Sequence, residues 1–156
     1  MKKKPSFSTR LLASSFLVAA TQDVTALYLH HSRAEFFLFS HYGLGWAFLA
    51  MTAVTLVLDA SAGVLLARGR RLGPWAGIGA LLMTATLRVW AAGLVTRDAA
   101  SLAAAVAAAG MPAKPFAPNV LQAMALTVTL GALIGMVLLL RLRRPGTVAP
   151  ATFETA

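Results

Sequence analysis

Four long apolar runs, at residues 11–29, 44–67, 75–95 and 120–140, restrict what this chain can fold into more than any other feature. They are 19 to 24 residues long. At ~1.5 Å per residue, each reaches across a hydrocarbon layer ~30 Å thick. Such a layer holds no water for the backbone, so a segment crossing it must close its hydrogen bonds within itself as a helix. The sequence therefore predicts an all-α membrane protein, a four-transmembrane-helix bundle forming a single domain over 1–145, with a disordered carboxyl tail over 146–156. Composition agrees: 58% of the residues are hydrophobic and only 12% charged, which exceeds what a soluble core of this size requires.

The net charge of +9 does not point to nucleic acid. Ten of the fourteen basic residues fall in three short clusters beside apolar runs: Lys2, Lys3, Lys4 and Arg10; Arg68, Arg70 and Arg71; Arg141, Arg143 and Arg144. A membrane boundary accounts for them, and the lipid bilayer is the partner they imply. The other two connections carry only Arg33, and Arg97 with Lys114. Positive charge collects on the cytoplasmic side, so both termini are expected in the cytoplasm. Usage rich in Ala, Leu and Arg, with one asparagine and four lysines, points to a bacterium and its inner (cytoplasmic) membrane. There is no cysteine, hence no disulfide, thiolate nucleophile or Cys-ligated metal.

The first run follows a basic tail and has small residues at Val18-Ala19-Ala20, as a cleavable signal would. Its apolar character resumes after Asp23, which favours an uncleaved first span. Residues 30–43 combine all three histidines with Phe36, Phe37, Phe39 and Tyr42 and read as an aromatic loop on the membrane surface. The basic turn after the second run is short and makes spans two and three antiparallel neighbours. Ala99 to Gly110 is too short to cross and is expected as a surface helix in the third loop. The prolines between Met111 and Pro118 exclude a helix there, and Asn119 is the expected N-cap of the fourth span.

Three runs carry one charged residue each: Asp23, Asp59 and Arg88. A charge near the centre of a span costs roughly 2.5–3.5 kcal/mol on insertion scales, and arginine does not escape by losing its proton. At ~1.5 Å per residue, Asp23 stands about 20 Å above Arg10, Arg88 about 20 Å above Trp75, and Asp59 about 12 Å above Ala67. These heights predict an Asp23–Arg88 ion pair, with Gln22, Thr84 and Gln122 as further partners of the guanidinium. Thr52, Thr55, Asp59 and Gly63 share one face of the second span, and Gly77, Leu81, Thr84, Arg88, Ala92 and Val95 one stripe of the third. Asp59 is then the acid left over.

Other candidates are weaker. His30, His31, Glu35 and His41 are a possible zinc or copper set, although their spacing matches no diagnostic pattern and interfacial histidines are ordinary. Gly131 and Gly135, with Thr127 one turn earlier, form a small-residue motif for close packing, within the bundle or between protomers of a homo-oligomer. No nucleophile elbow, phosphate loop or HExxH motif is present, so no enzyme activity and no cofactor are expected. Two functions fit these residues. The first is a non-enzymatic accessory or assembly subunit of a membrane complex, in which the charges lock helix packing. The second is a small proton-linked transporter or channel using Asp59.

Overall fold

The structure, a computed structural model, describes residues 6–28 and 34–143. The described chain is all-helical: α1 (Phe7–Tyr28), α2 (Ala34–His41), α3 (Gly45–Ala67), α4 (Gly73–Arg97), α5 (Ala99–Ala108), a 3-10 turn (Lys114–Phe116) and α6 (Pro118–Arg143). Among the described residues, α3, α4 and α6 are both long and apolar enough to cross a membrane. That marks a membrane protein. At 22 residues α1 has the length, but serines, threonines, Gln22 and Asp23 dilute its apolar character. Several of these hydroxyls turn back on their own helix: Ser14 and Ser15 donate to Leu11 O, Thr21 to Val18 O and Thr25 to Thr21 O. The carboxyl tail 146–156 lies outside the described residues.

The long helices pack in chain order, α1 on α3, α3 on α4 and α4 on α6. Gly69 makes the sharp α3–α4 reversal possible. It takes φ +63°, a left-handed conformation that costs glycine little, and the following Arg70 N–H closes on Leu65 O at 2.8 Å. Pro74 then sits in the first turn of α4, where its missing N–H leaves no gap in the helix. Two apolar cores result. One joins Ala13 and Phe16 of α1, Ala62 and Leu66 of α3, Ala80 of α4 and Leu139 of α6. The other joins α2, the first turns of α3, the end of α4, α5 and the start of α6.

Residues 34–41 are not a surface loop. They form α2, whose Leu38 and Phe39 are buried. The aromatic rings that pointed to the headgroup layer instead face protein. Phe39 stands edge-on to Trp90 at 5.2 Å between centroids and tilts against Phe48 at 5.5 Å, while Phe37 stands edge-on to Phe116 at 5.6 Å. Such pairs add stability beyond the area they bury. α2 therefore caps one end of the helix row.

The third connection also differs in detail from expectation. The surface helix is present as α5, capped by Asp98, which accepts a hydrogen bond from Ser101 N at 3.2 Å. Leu102 and Val106 anchor it in the core. The proline-rich stretch does contain a single 3-10 turn, and α6 begins on Pro118 rather than after an Asn119 cap. Proline is tolerated in a first turn, where the N–H has no intrahelical partner in any case. Beside α5, Tyr42 donates its hydroxyl to Asp98 O at 3.4 Å. Burial, reinforced by the Asp98 charge and opposed by Arg97, holds that hydroxyl above its ordinary pKa.

Close approach of α1, α4 and α6 depends on Gly77. A Cβ there would lie 2.8 Å from Phe16 Cζ and 2.9 Å from Leu139 Cδ1, both buried. Gly77→Ala should therefore lower stability by about 1–3 kcal/mol, the usual cost of overpacking a filled core. Gly131→Ala meets nothing within 4 Å and should leave the melting temperature of the detergent-solubilised chain unchanged or raise it, since alanine is the better helix former. Equal melting of the two variants would contradict this packing.

Candidate functional site

Between the two apolar cores, the helices turn polar side chains toward one another. Along α3 the inward face reads Phe48, Thr52, Thr55, Asp59, Ala62 and Leu66, all buried, so its apolar ends bracket a polar middle. The same exchange occurs on α1, from Phe16 to Gln22 and Asp23, and on α4, from Ala80 to Thr84 and Arg88, before Ala91 and Ala92 restore the core. The spacing of three and four residues that aligns these groups on one face comes from the helical period.

They surround a cavity of about 150 Å³. Its polar lining is Gln22 and Asp23 from α1, Glu35 from α2, Thr52, Thr55 and Asp59 from α3, and Thr84 and Arg88 from α4; Ala19, Phe48 and Leu87 complete the wall. At about 30 Å³ per molecule in the liquid, the space is large enough for a few waters. The site thus gathers seven of the polar residues singled out from sequence, together with one that was assigned elsewhere.

That residue is Glu35, which forms an ion pair with Arg88. α2 brings it there, entering at the end of the helix row with Glu35 in its first turn. Read as a loop, residues 30–43 group Glu35 with the histidines. A helical signal was nonetheless available, since Leu38 and Phe39 lie three and four residues after Glu35. The pair is partly accessible, with the side chains 25% and 21% exposed. It lies on the α2 side of the cavity. Arg88 is nine residues from the end of α4 at Arg97, about 14 Å.

Asp59 and Asp23 face the same cavity from α3 and α1. Heights counted from the sequence separate these two acids by about 8 Å. Packing of α1 on α3 reduces the difference: a Cβ on Gly63 would lie 2.6 Å from Leu17 Cγ and 3.1 Å from Ala13 O, so the helices approach closely and their register is set just below the acids. Two ionised carboxylates have only acceptors to offer each other. A hydrogen bond between two carboxyl groups requires a proton on one of them. Asp59 is 5% exposed, and Asp23 Oδ2 is shielded from solvent.

The remaining candidates lie elsewhere. Gln122 is on the exposed face of α6. His41 meets Ser101 Oγ at 3.3 Å and the ring of Tyr42, while His30 and His31 fall outside the described residues. Among the described residues, no group of three His, Cys, Asp or Glu side chains gathers as a metal site. Gly135 faces Leu81 of α4, Gly131 is open, and Thr127 donates to Ala123 O on an exposed face. The glycine motif is thus split between an internal contact and the outer surface. Comparison with protein families, characterised proteins and solved structures finds no match to this chain.

The Glu35–Arg88 pair lends itself to a charge-exchange experiment. Glu35→Gln and Arg88→Gln should each cost about 1–3 kcal/mol, the range for a hydrogen bond to a charged group and for the partner left behind. Glu35→Arg combined with Arg88→Glu should recover a substantial part of the loss in thermal melting. A double exchange no more stable than the worse single exchange would count against the pairing.

Proposed function

We propose that this protein is a small, non-enzymatic proton-linked transporter or channel of a bacterial cytoplasmic membrane, working through the Asp23–Asp59 carboxyl pair. The observation that supports this reading is the cavity. Charges that only locked helices together would be covered by packed side chains. Here they border a space large enough for water, and an acid pair sharing one proton is a group that accepts and releases protons. Ionisable residues inside a membrane mark functional sites by default, and proton relays are among them.

In this reading α1 is a fourth span and both termini face the cytoplasm, with α2 and α5 on the outer side. Four crossings follow from the length of α1 and its packing along α3. The orientation follows from the basic clusters at the amino tail, the Arg68–Arg71 turn and the carboxyl end. The Glu35–Arg88 pair then borders the same cavity as the acid pair.

A second reading, as an accessory or assembly subunit of a larger membrane complex, rests on α6. Its face bearing Leu126, Leu130, Leu133, Ile134, Val137 and the open Gly131 is exposed. A neighbouring helix could approach that glycine closely, in another subunit or a second copy of the chain.

Vesicles reconstituted with the full chain and loaded with a pH-sensitive dye test the transport reading. Wild-type protein should dissipate an imposed pH gradient, and Asp59→Asn should reduce the rate to that of protein-free vesicles. Equal rates in wild type and Asp59→Asn would leave the assembly reading. For topology, reporter fusions after residues 42, 71, 112 and 150 should report outside, inside, outside and inside. Any other order contradicts the orientation.

A further inference from the structure

The lining of the cavity is more specific than a proton site requires. Thr52 and Thr55 are 4% and 5% exposed and face the cavity beside Asp59. Each has committed its only hydroxyl proton to its own helix: Thr52 Oγ1 donates to Phe48 O at 2.9 Å, and Thr55 Oγ1 donates to Met51 O at 2.8 Å. Toward the cavity these oxygens therefore offer lone pairs only, and no described residue donates to them. Next to the carboxyl oxygens of Asp23 and Asp59, they make a wall of oxygen acceptors. Such a wall suits a hard cation, which takes oxygen ligands in preference to nitrogen or sulfur.

We infer that the cavity binds a monovalent metal cation, sodium being the one to test, between the Asp23–Asp59 pair and the Thr52 and Thr55 hydroxyl oxygens, in exchange for the proton the two acids share. The inference rests on the proton-site reading above. The exchange balances: the protonated pair with one sodium ion becomes the doubly ionised pair holding sodium, and one proton is released. Net charge in the cavity is the same before and after, so either form is tolerated equally by the apolar surroundings. A divalent ion would change that charge by one. The other charged groups facing the site are Glu35 from α2 and Arg88 from α4. They form an ion pair with each other.

Thermal melting of the full chain in detergent tests this, with sodium chloride compared against choline chloride at equal ionic strength. Sodium should raise the melting temperature. Its half-effect concentration should fall about tenfold for each unit of pH increase while the shared proton is bound, as one-for-one competition requires. Thr52→Val with Thr55→Val should raise that concentration about tenfold or more, and their melting in choline reports whether they fold. No sodium effect on the wild type, an effect independent of pH, or stabilisation by calcium and not by sodium would each overturn the inference. Proton flux that persists without any sodium effect removes this inference alone. A sodium effect without proton flux retains the ion site and removes the transport reading.

Discussion

An ionised side chain between apolar helices is tolerated only where an opposite charge, a hydrogen bond or water lies close by, and this condition determines how the middle of the protein is built. Four charged residues from four helices meet in one small cavity. Apart, each would impose its full desolvation cost on its own helix. Together, Arg88 pairs with Glu35 and the two aspartates face one cavity. Gathering buried charges in this way need not add net stability compared with an apolar core. It does require α1, α2, α3 and α4 to adopt one relative register.

The apolar cores on either side make that register attainable. Small residues let the helices close below the cavity, where Gly63 receives Leu17 and Gly77 receives Phe16 and Leu139. Above it, α2 uses large aromatic rings to fill the space where the helices need a cap. The cavity persists because neither core extends into it: Thr52, Thr55 and Thr84 are too short to fill the gap between α1, α3 and α4.

Much of this arrangement was legible in the residues. Runs of about twenty apolar residues and lone charges within them led directly to helices and to a polar site. Helical spacing also placed Thr52 and Thr55 with Asp59. The role of Glu35 was not legible, because eight residues rich in aromatics can form an interfacial loop or a capping helix, and only tertiary packing decides between them. Nor was the meeting of Asp23 and Asp59 at one cavity, since heights counted along separate helices ignore the register that glycine contacts impose. The single asparagine resembled a helix cap by type, yet the proline before it already begins the helix.

The central claim is that one proton is shared by Asp23 and Asp59 inside the protein. Infrared spectroscopy of the carboxyl stretch in reconstituted full-length protein, near neutral pH, addresses it most directly. The account predicts a protonated-carboxyl band in the wild type that both Asp23→Asn and Asp59→Asn alter or abolish, because either substitution breaks the pair. A wild-type spectrum without that band, or a band that neither substitution changes, would contradict it.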